Sequence, residues 1–309
     1  MAEELKPYRY LVDGMSGDLK TYRGSCHCGA YVYEAKMPHL FKVLECNCSS
    51  CYKKGALWVV PEPGNIRFVK GDVNTLANYT FGEKTINHKF CPNCGVQLLF
   101  VGDATLPKPG EEPRMGANVR SFQHGQGVDV WNILKFYADN KEFRGPYKAP
   151  KFTGPEPKAV IEGAKVYTGS CHCGAVKVAL KTKPLDKTST ETIMECNCSI
   201  CNRLGYVWFY PQKEQVEIEG EENLAYYKFG TELFGKSFCK TCGIPVHNAV
   251  QPISEEELNS KIPEAQREFV KGMLSTTPIN LRVLNDLDVG TLNVKQVDGY
   301  NRPPLYVEP

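Results

Sequence analysis

All fourteen cysteines of the 309-residue chain fall into one pattern of seven that occurs twice. The first copy reads Cys26-His27-Cys28, then Cys46-Asn47-Cys48-Ser49-Ser50-Cys51, then Cys91-Pro92-Asn93-Cys94-Gly95. The second reads Cys171-His172-Cys173, then Cys196-Asn197-Cys198-Ser199-Ile200-Cys201, then Cys239-Lys240-Thr241-Cys242-Gly243. Zinc suits this arithmetic. Four thiolates close a structural tetrahedron, and three leave a coordination position open for a reactant. Each set of seven divides into four and three with no cysteine left over.

Pairing the first cluster with the last gives closed four-thiolate sites at Cys26, Cys28, Cys91 and Cys94, and at Cys171, Cys173, Cys239 and Cys242. Sites of this kind tie distant chain segments together and contribute folding energy directly. The middle clusters, Cys46, Cys48, Cys51 and Cys196, Cys198, Cys201, bring three sulfurs into one short turn. With water or substrate as the fourth ligand such a site is catalytic, and a substrate thiol held there is deprotonated. With a fourth protein ligand it is structural. His88 could close the first copy, but Lys236 stands at the matching place in the second.

Two other uses of the cysteines fit less well. Cys91-Pro92-Asn93-Cys94 has the spacing of a redox dithiol, but its counterpart lacks the proline and neither follows the first strand of a βαβ unit. Disulfides suit an oxidising compartment. The polar start Met1-Ala2-Glu3-Glu4-Leu5-Lys6 leads into no apolar run and reads as carrying no signal peptide. The expected setting is therefore reducing, cytoplasm or nucleus.

Other residues shared by the copies offer weaker chemistry. His27 and His172 sit between two ligands and read as structural. Asn118 with Arg120, and Asn280 with Arg282, could hold an anionic substrate or serve as ordinary strand residues. Trp58 and Trp208 read as core, or as a pocket wall. Glu45 and Glu195 precede the three-cysteine turn and could act as acid/base groups, as partners of the metal ligands, or as plain surface.

The segments that must position these residues repeat as well. Gly24 to Ala30 matches Gly169 to Ala175, and Gly55, Trp58 and Pro61 match Gly205, Trp208 and Pro211. Strands are expected at 30–35, 57–60 and 96–100 and at 175–180 and 206–210, short and punctuated by Gly and Pro, as in antiparallel sheets. Helical spacing shows only in an insertion of the second copy, 254–271, where Leu258, Ile262 and Phe269 suggest one added surface helix. The organisation read from this is an N-terminal arm at 1–19, a first zinc domain at 20–145, a Pro- and Lys-rich linker at 146–164, and a second zinc domain at 165–309. A net charge of +2 gives no support for nucleic-acid or membrane-surface binding.

Gly-Ser-Cys-His-Cys-Gly-Ala, Cys-x-Cys-Ser-x-Cys and Phe-Cys-x-x-Cys-Gly, in that order and present twice with Phe90 and Phe238 supplying the last Phe, resemble the glutathione-dependent formaldehyde-activating enzyme family, also named GFA or CENP-V/GFA. The resemblance covers about residues 20–140 and 165–300. It implies a mainly β fold, two tandem β-tent domains of antiparallel sheets with few helices. It also implies a structural zinc on the first and last clusters and a catalytic, labile zinc on the middle one. The implied activity is carbon–sulfur lyase chemistry on glutathione or another thiol adduct, as in condensing formaldehyde with glutathione to S-hydroxymethylglutathione. The chain departs from the family where Asn47 and Asn197 replace a usual His, and where Tyr52 and Asn202 replace a usual Arg. The metal ligands are intact, but a proton-transfer role for that His and anion binding by that Arg do not carry over.

The reading is a zinc-dependent carbon–sulfur lyase, with up to two zincs per domain, a small thiol or thiol-adduct partner, and two domains packed as a pseudo-dimer. A non-catalytic zinc-binding interaction scaffold is the alternative.

Overall fold

The computed structural model describes residues 17–102, 113–142 and 146–309. Most of the expected N-terminal arm therefore lies outside the described residues. The chain forms two compact units. One comprises Met1–Tyr147 with Asn202–Gly205 and Tyr306–Pro309, and the other comprises Lys148–Cys201 with Tyr206–Leu305.

The first unit is built from β1 (Lys20–Ser25), β2 (Val32–Met37), β3 (Lys42–Cys46), helix α1 (Ser49–Lys54), β4 (Leu57–Val59), β5 (Ile66–Lys70), β6 (Ala77–Tyr79), β7 (Ile86–Phe90), β8 (Gln97–Gly102), β9 (Met115–Asn118) and β10 (Leu134–Ala138). The second carries β11 (Lys165–Ser170), β12 (Lys177–Thr182), β13 (Ile193–Cys196), α2 (Ser199–Leu204), β14 (Trp208–Phe209), β15 (Val216–Glu219), β16 (Leu224–Tyr227), β17 (Phe234–Cys239), β18 (Pro245–Val250), helices α3 (Glu255–Lys261) and α4 (Glu264–Met273), β19 (Ile279–Asn280) and β20 (Val294–Val297).

Both units have one topology. A three-stranded sheet, β1-β2-β5 or β11-β12-β15, accompanies a seven-stranded sheet, β10-β3-β4-β9-β8-β7-β6 or β20-β13-β14-β19-β18-β17-β16. The fold is mainly β, as the repeat implied. The large sheets are mixed rather than purely antiparallel, because β10 runs parallel to β3 and β20 parallel to β13. Each of these last strands returns after a long excursion, the condition a parallel neighbour needs.

Aromatic side chains join the layers. Tyr22 and Tyr33 are fully buried and Phe122 packs against both. The Tyr22 hydroxyl accepts the Leu40 N–H at 2.8 Å, and Tyr167 does the same for Leu185 at 2.7 Å. The expected linker contains no strand, and from Lys148 onward it belongs to the second unit. Thr153 donates to Glu219, Glu156 pairs with Lys181 at 2.7 Å, and the Ala159 N–H bonds to Glu214.

The insertion forms two helices instead of one. Pro263, which lacks an N–H, stands between them, and the Ser254 side chain caps the first in a capping box with Glu257. Leu258, Ile262 and Val270 pack with Leu233, whereas Phe269 is 61% exposed. The turn at Pro263 shifts the buried stripe by one residue, from Phe269 to Val270.

Candidate metal centres

In each unit the sheets deliver the cysteines from three places. In the first unit, Cys26 and Cys28 lie in the turn after β1, and Cys91 and Cys94 in the turn between β7 and β8. Gly29 and Gly95 close these turns with φ of 70° and 75°, a region that side chains avoid. The four sulfurs lie within 4.8 Å of one another, as do those of Cys171, Cys173, Cys239 and Cys242. Cys26 to Cys28 measures 3.5 Å and Cys28 to Cys91 3.6 Å, with 3.6 Å for Cys171 to Cys173 and for Cys173 to Cys239. A tetrahedron with metal–sulfur bonds of 2.3 Å sets its sulfurs about 3.8 Å apart. The donor set and its spacing fit zinc, and the Cys91–Cys94 pair is engaged in a four-thiol cluster rather than standing as a redox dithiol. The Tyr31 and Val176 N–H groups each donate to a ligand sulfur at 3.3 Å.

The middle clusters form where a strand passes into a helix. Cys46 ends β3, Cys48 sits at the helix cap, and Cys51 faces inward from α1. Cys196, Cys198 and Cys201 repeat the arrangement on β13 and α2. The three sulfurs of each set lie within 4.8 Å of one another, and among the described residues no fourth Cys, His, Asp or Glu joins them. His88, considered above as a fourth ligand, instead meets the Gln97 amide at 3.0 Å and stacks on Phe81. Both triads fit a metal with an open position.

The neighbours of the triads explain several shared residues. The Trp58 indole N–H points at Cys51 Sγ and that of Trp208 at Cys201 Sγ, both at 3.3 Å. Each tryptophan is therefore buried core and also a hydrogen-bond donor to a candidate metal ligand. Sequence reasoning placed them in the core and missed the second role; their shared place seven residues after the third cysteine was the available signal.

Asn47 and Asn197, which replace the family His, act as clamps. Asn47 donates to Asp139 at 2.8 Å and accepts the Asn140 N–H at 2.7 Å. Asn197 accepts the N–H groups of Gly299 and Tyr300 at 2.7 and 2.9 Å. Both thereby fix the cysteine turn to the chain leaving β10 or β20.

Asn118 and Asn280 bridge strands rather than line a substrate site. Asn118 accepts from Leu57 and donates to the Gln97 carbonyl, while Asn280 accepts from Val207 and donates to the Pro245 carbonyl. Arg120 donates to the Gly55 carbonyl, and Arg282 pairs with Glu195 at 3.4 Å. Glu195 is thus an ion-pair partner, and the Glu45 charge pushes the Tyr137 hydroxyl upward. His27 and His172 are buried in the four-thiol turns.

The surroundings of the two triads differ. In the first, Leu44, Ala56, Trp58, Phe100 and Ala138 pack around Cys51, with Val60, Ile86 and Phe136 beside them. Asn140 reaches Cys46 Sγ at 3.4 Å. Hydrogen bonds from Cys48 and then Cys51 draw the Cys46 thiol down. In the second, Gly299 packs so closely on Cys196 that a Cβ there would stand 2.4 Å from its sulfur. Cys198 is the thiol drawn well down, by hydrogen bonds from Cys196 and Cys201, and the Lys236 ammonium adds to the effect. Lys236 lies over the Trp208 ring at 4.9 Å and Tyr206 stacks on the same indole at 3.9 Å.

A family model described as glutathione-dependent formaldehyde-activating enzyme matches residues 21–108 and 166–261, more than half of the chain. The crystal structure of a Rhodobacter sphaeroides protein is similar over 42% of this chain and 99% of its own, at 25% sequence identity and a TM-score of 0.30. Among the described residues no helix is long and apolar enough to cross a membrane.

Proposed function

The chain belongs to the glutathione-dependent formaldehyde-activating enzyme family, and on that premise we propose that it is a zinc-dependent carbon–sulfur lyase acting on glutathione or another thiol adduct. The observation that carries this reading is the three-thiol cluster lacking a fourth protein ligand among the described residues, present in both copies. Cys46, Cys48 and Cys51, or Cys196, Cys198 and Cys201, would hold a zinc ion there, which would supply Lewis acidity to a substrate sulfur.

The protein's own part is positioning. The strand-to-helix turn aims three sulfurs at one point, and Asn47 or Asn197 pins the turn to the neighbouring strand. Trp58 or Trp208 orients the buried ligand. The packed aromatic and aliphatic side chains limit water on the inner side of the first cluster. In the cleaving direction a hemithioacetal loses its hydroxyl proton to solvent. The C–S bonding pair leaves with sulfur, and the carbonyl compound departs. Condensation is the reverse.

The paired variant C48S/C198S tests this. Even partners beyond the ligands are worth about 10–100-fold in affinity or activity. Loss of a ligand from each triad should therefore lower the rate of S-hydroxymethylglutathione formation, followed by NMR exchange, roughly a hundredfold or more, with a nearly unchanged unfolding midpoint. A wild-type chain that does not accelerate the exchange, and variants that lose only stability, would favour the scaffold.

A further inference from the structure

The copies keep the same three ligands but exchange the residues that face them. Aligned on the cysteines, Ala56, Val60, His88 and Phe100 of the first unit become Tyr206, Tyr210, Lys236 and Asn248 of the second. In the first unit these positions are filled: Phe100 meets Trp58 edge-on at 4.9 Å, and His88 is engaged with Gln97 and Phe81.

In the second unit the replacements are polar. Lys236 and Asn248 are directly opposed on β17 and β18, so their side chains share a face of the sheet. The Lys236 ammonium lies over Trp208, whose indole N–H touches Cys201, so one indole separates the cation from a ligand sulfur. Among the described residues no carboxylate stands within ion-pair distance of Lys236; its neighbours are the Trp208 and Tyr206 rings. Asn248 is 5% exposed, and its Oδ1 accepts no hydrogen bond. A buried acceptor without a donor costs stability, which marks it as awaiting one.

We propose that the two middle centres are specialised for different thiols: the second takes a thiol carrying both a carboxylate, read by Lys236, and an N–H or O–H donor, read by Asn248 Oδ1, a pair of readers that the first lacks at the matching positions. This rests on the open three-thiol centre argued above.

The test is calorimetric titration of the full zinc-loaded chain with N-acetylcysteine and with N-acetylcysteamine, which share the thiol and the amide N–H and differ by the carboxylate. One site should prefer N-acetylcysteine about tenfold, the size of one charge-assisted hydrogen bond. That ratio should collapse in K236M, survive in K236R, and shrink with added salt. The salt series needs no variant, so it stands even if K236M misfolds. Equal affinities in the wild-type chain, or a ratio unmoved by both K236M and salt, would overturn the specialisation and leave the open centre standing. If neither thiol binds, the open-centre reading fails and this inference with it.

Discussion

At the scale of the residue, the tryptophans do the work that sequence reasoning gave to generic core. Trp58 and Trp208 each donate an indole hydrogen bond to the innermost ligand of a triad. Donors and acceptors behind a metal ligand orient it and tune its basicity. Replacing either by phenylalanine keeps most of the packing and removes the donor. W58F and W208F should each weaken zinc at their own triad by about 10–100-fold, read by competition with a chromophoric chelator. The four-thiol sites should hold their metal unchanged. Unaltered affinity would mean that the indole only packs. The grouping of the cysteines was legible, because the two copies repeat the same three spaced clusters. The roles of Asn118 and Asn280 were not. Each bridges strands that are remote in sequence, and a buried bridging amide and a substrate-binding amide look alike until the sheet order is known.

At the scale of the element, most strands that follow the cysteine turns were legible to within a few residues, but the strands that lead into them, β1, β3 and β7 with β11, β13 and β17, were not, nor were α1 and α2. Six residues are too few to show a helical period, and these helices follow turns that read as strand-rich. The signal that was present is the glycine closing each: Gly55 and Gly205 take φ of 57° and 61°, the left-handed cap that ends a helix. At Gly55 the cap N–H reaches the carbonyls of Cys51 and Tyr52, so the same residue stops the helix that carries Cys51 of the triad. G55A forces a side chain into that conformation and should cost about 1–2 kcal/mol, measured as a lowered urea midpoint at constant slope. An unchanged midpoint would mean that the cap relaxes without strain. In the insertion, the apolar spacing suggests one helix, but Pro263 breaks it and two form.

At the scale of the molecule, duplication was the most legible property, and the structure extends it from cysteine spacing to strand order in both sheets. The parallel strand closing each large sheet was hidden, because nothing local in Leu134–Ala138 or Val294–Val297 reveals which neighbour it joins. The duplicated architecture gives each copy one closed and one open thiolate centre. The closed centres tie turns of distant strands and should be inseparable from folding. The three-thiol sets end one strand and begin one helix, so a metal bound there could leave without dismantling a sheet.

That contrast is the central claim, and zinc stoichiometry tests it most directly. Freshly purified protein, supplied with zinc and then exposed to a mild chelator, should bind four zincs per chain and release two while keeping its far-ultraviolet circular dichroism. Glutathione should perturb only the releasable pair. Two tightly held zincs that ignore glutathione, with no further uptake when zinc is added, would contradict the account and leave the triads without a catalytic metal.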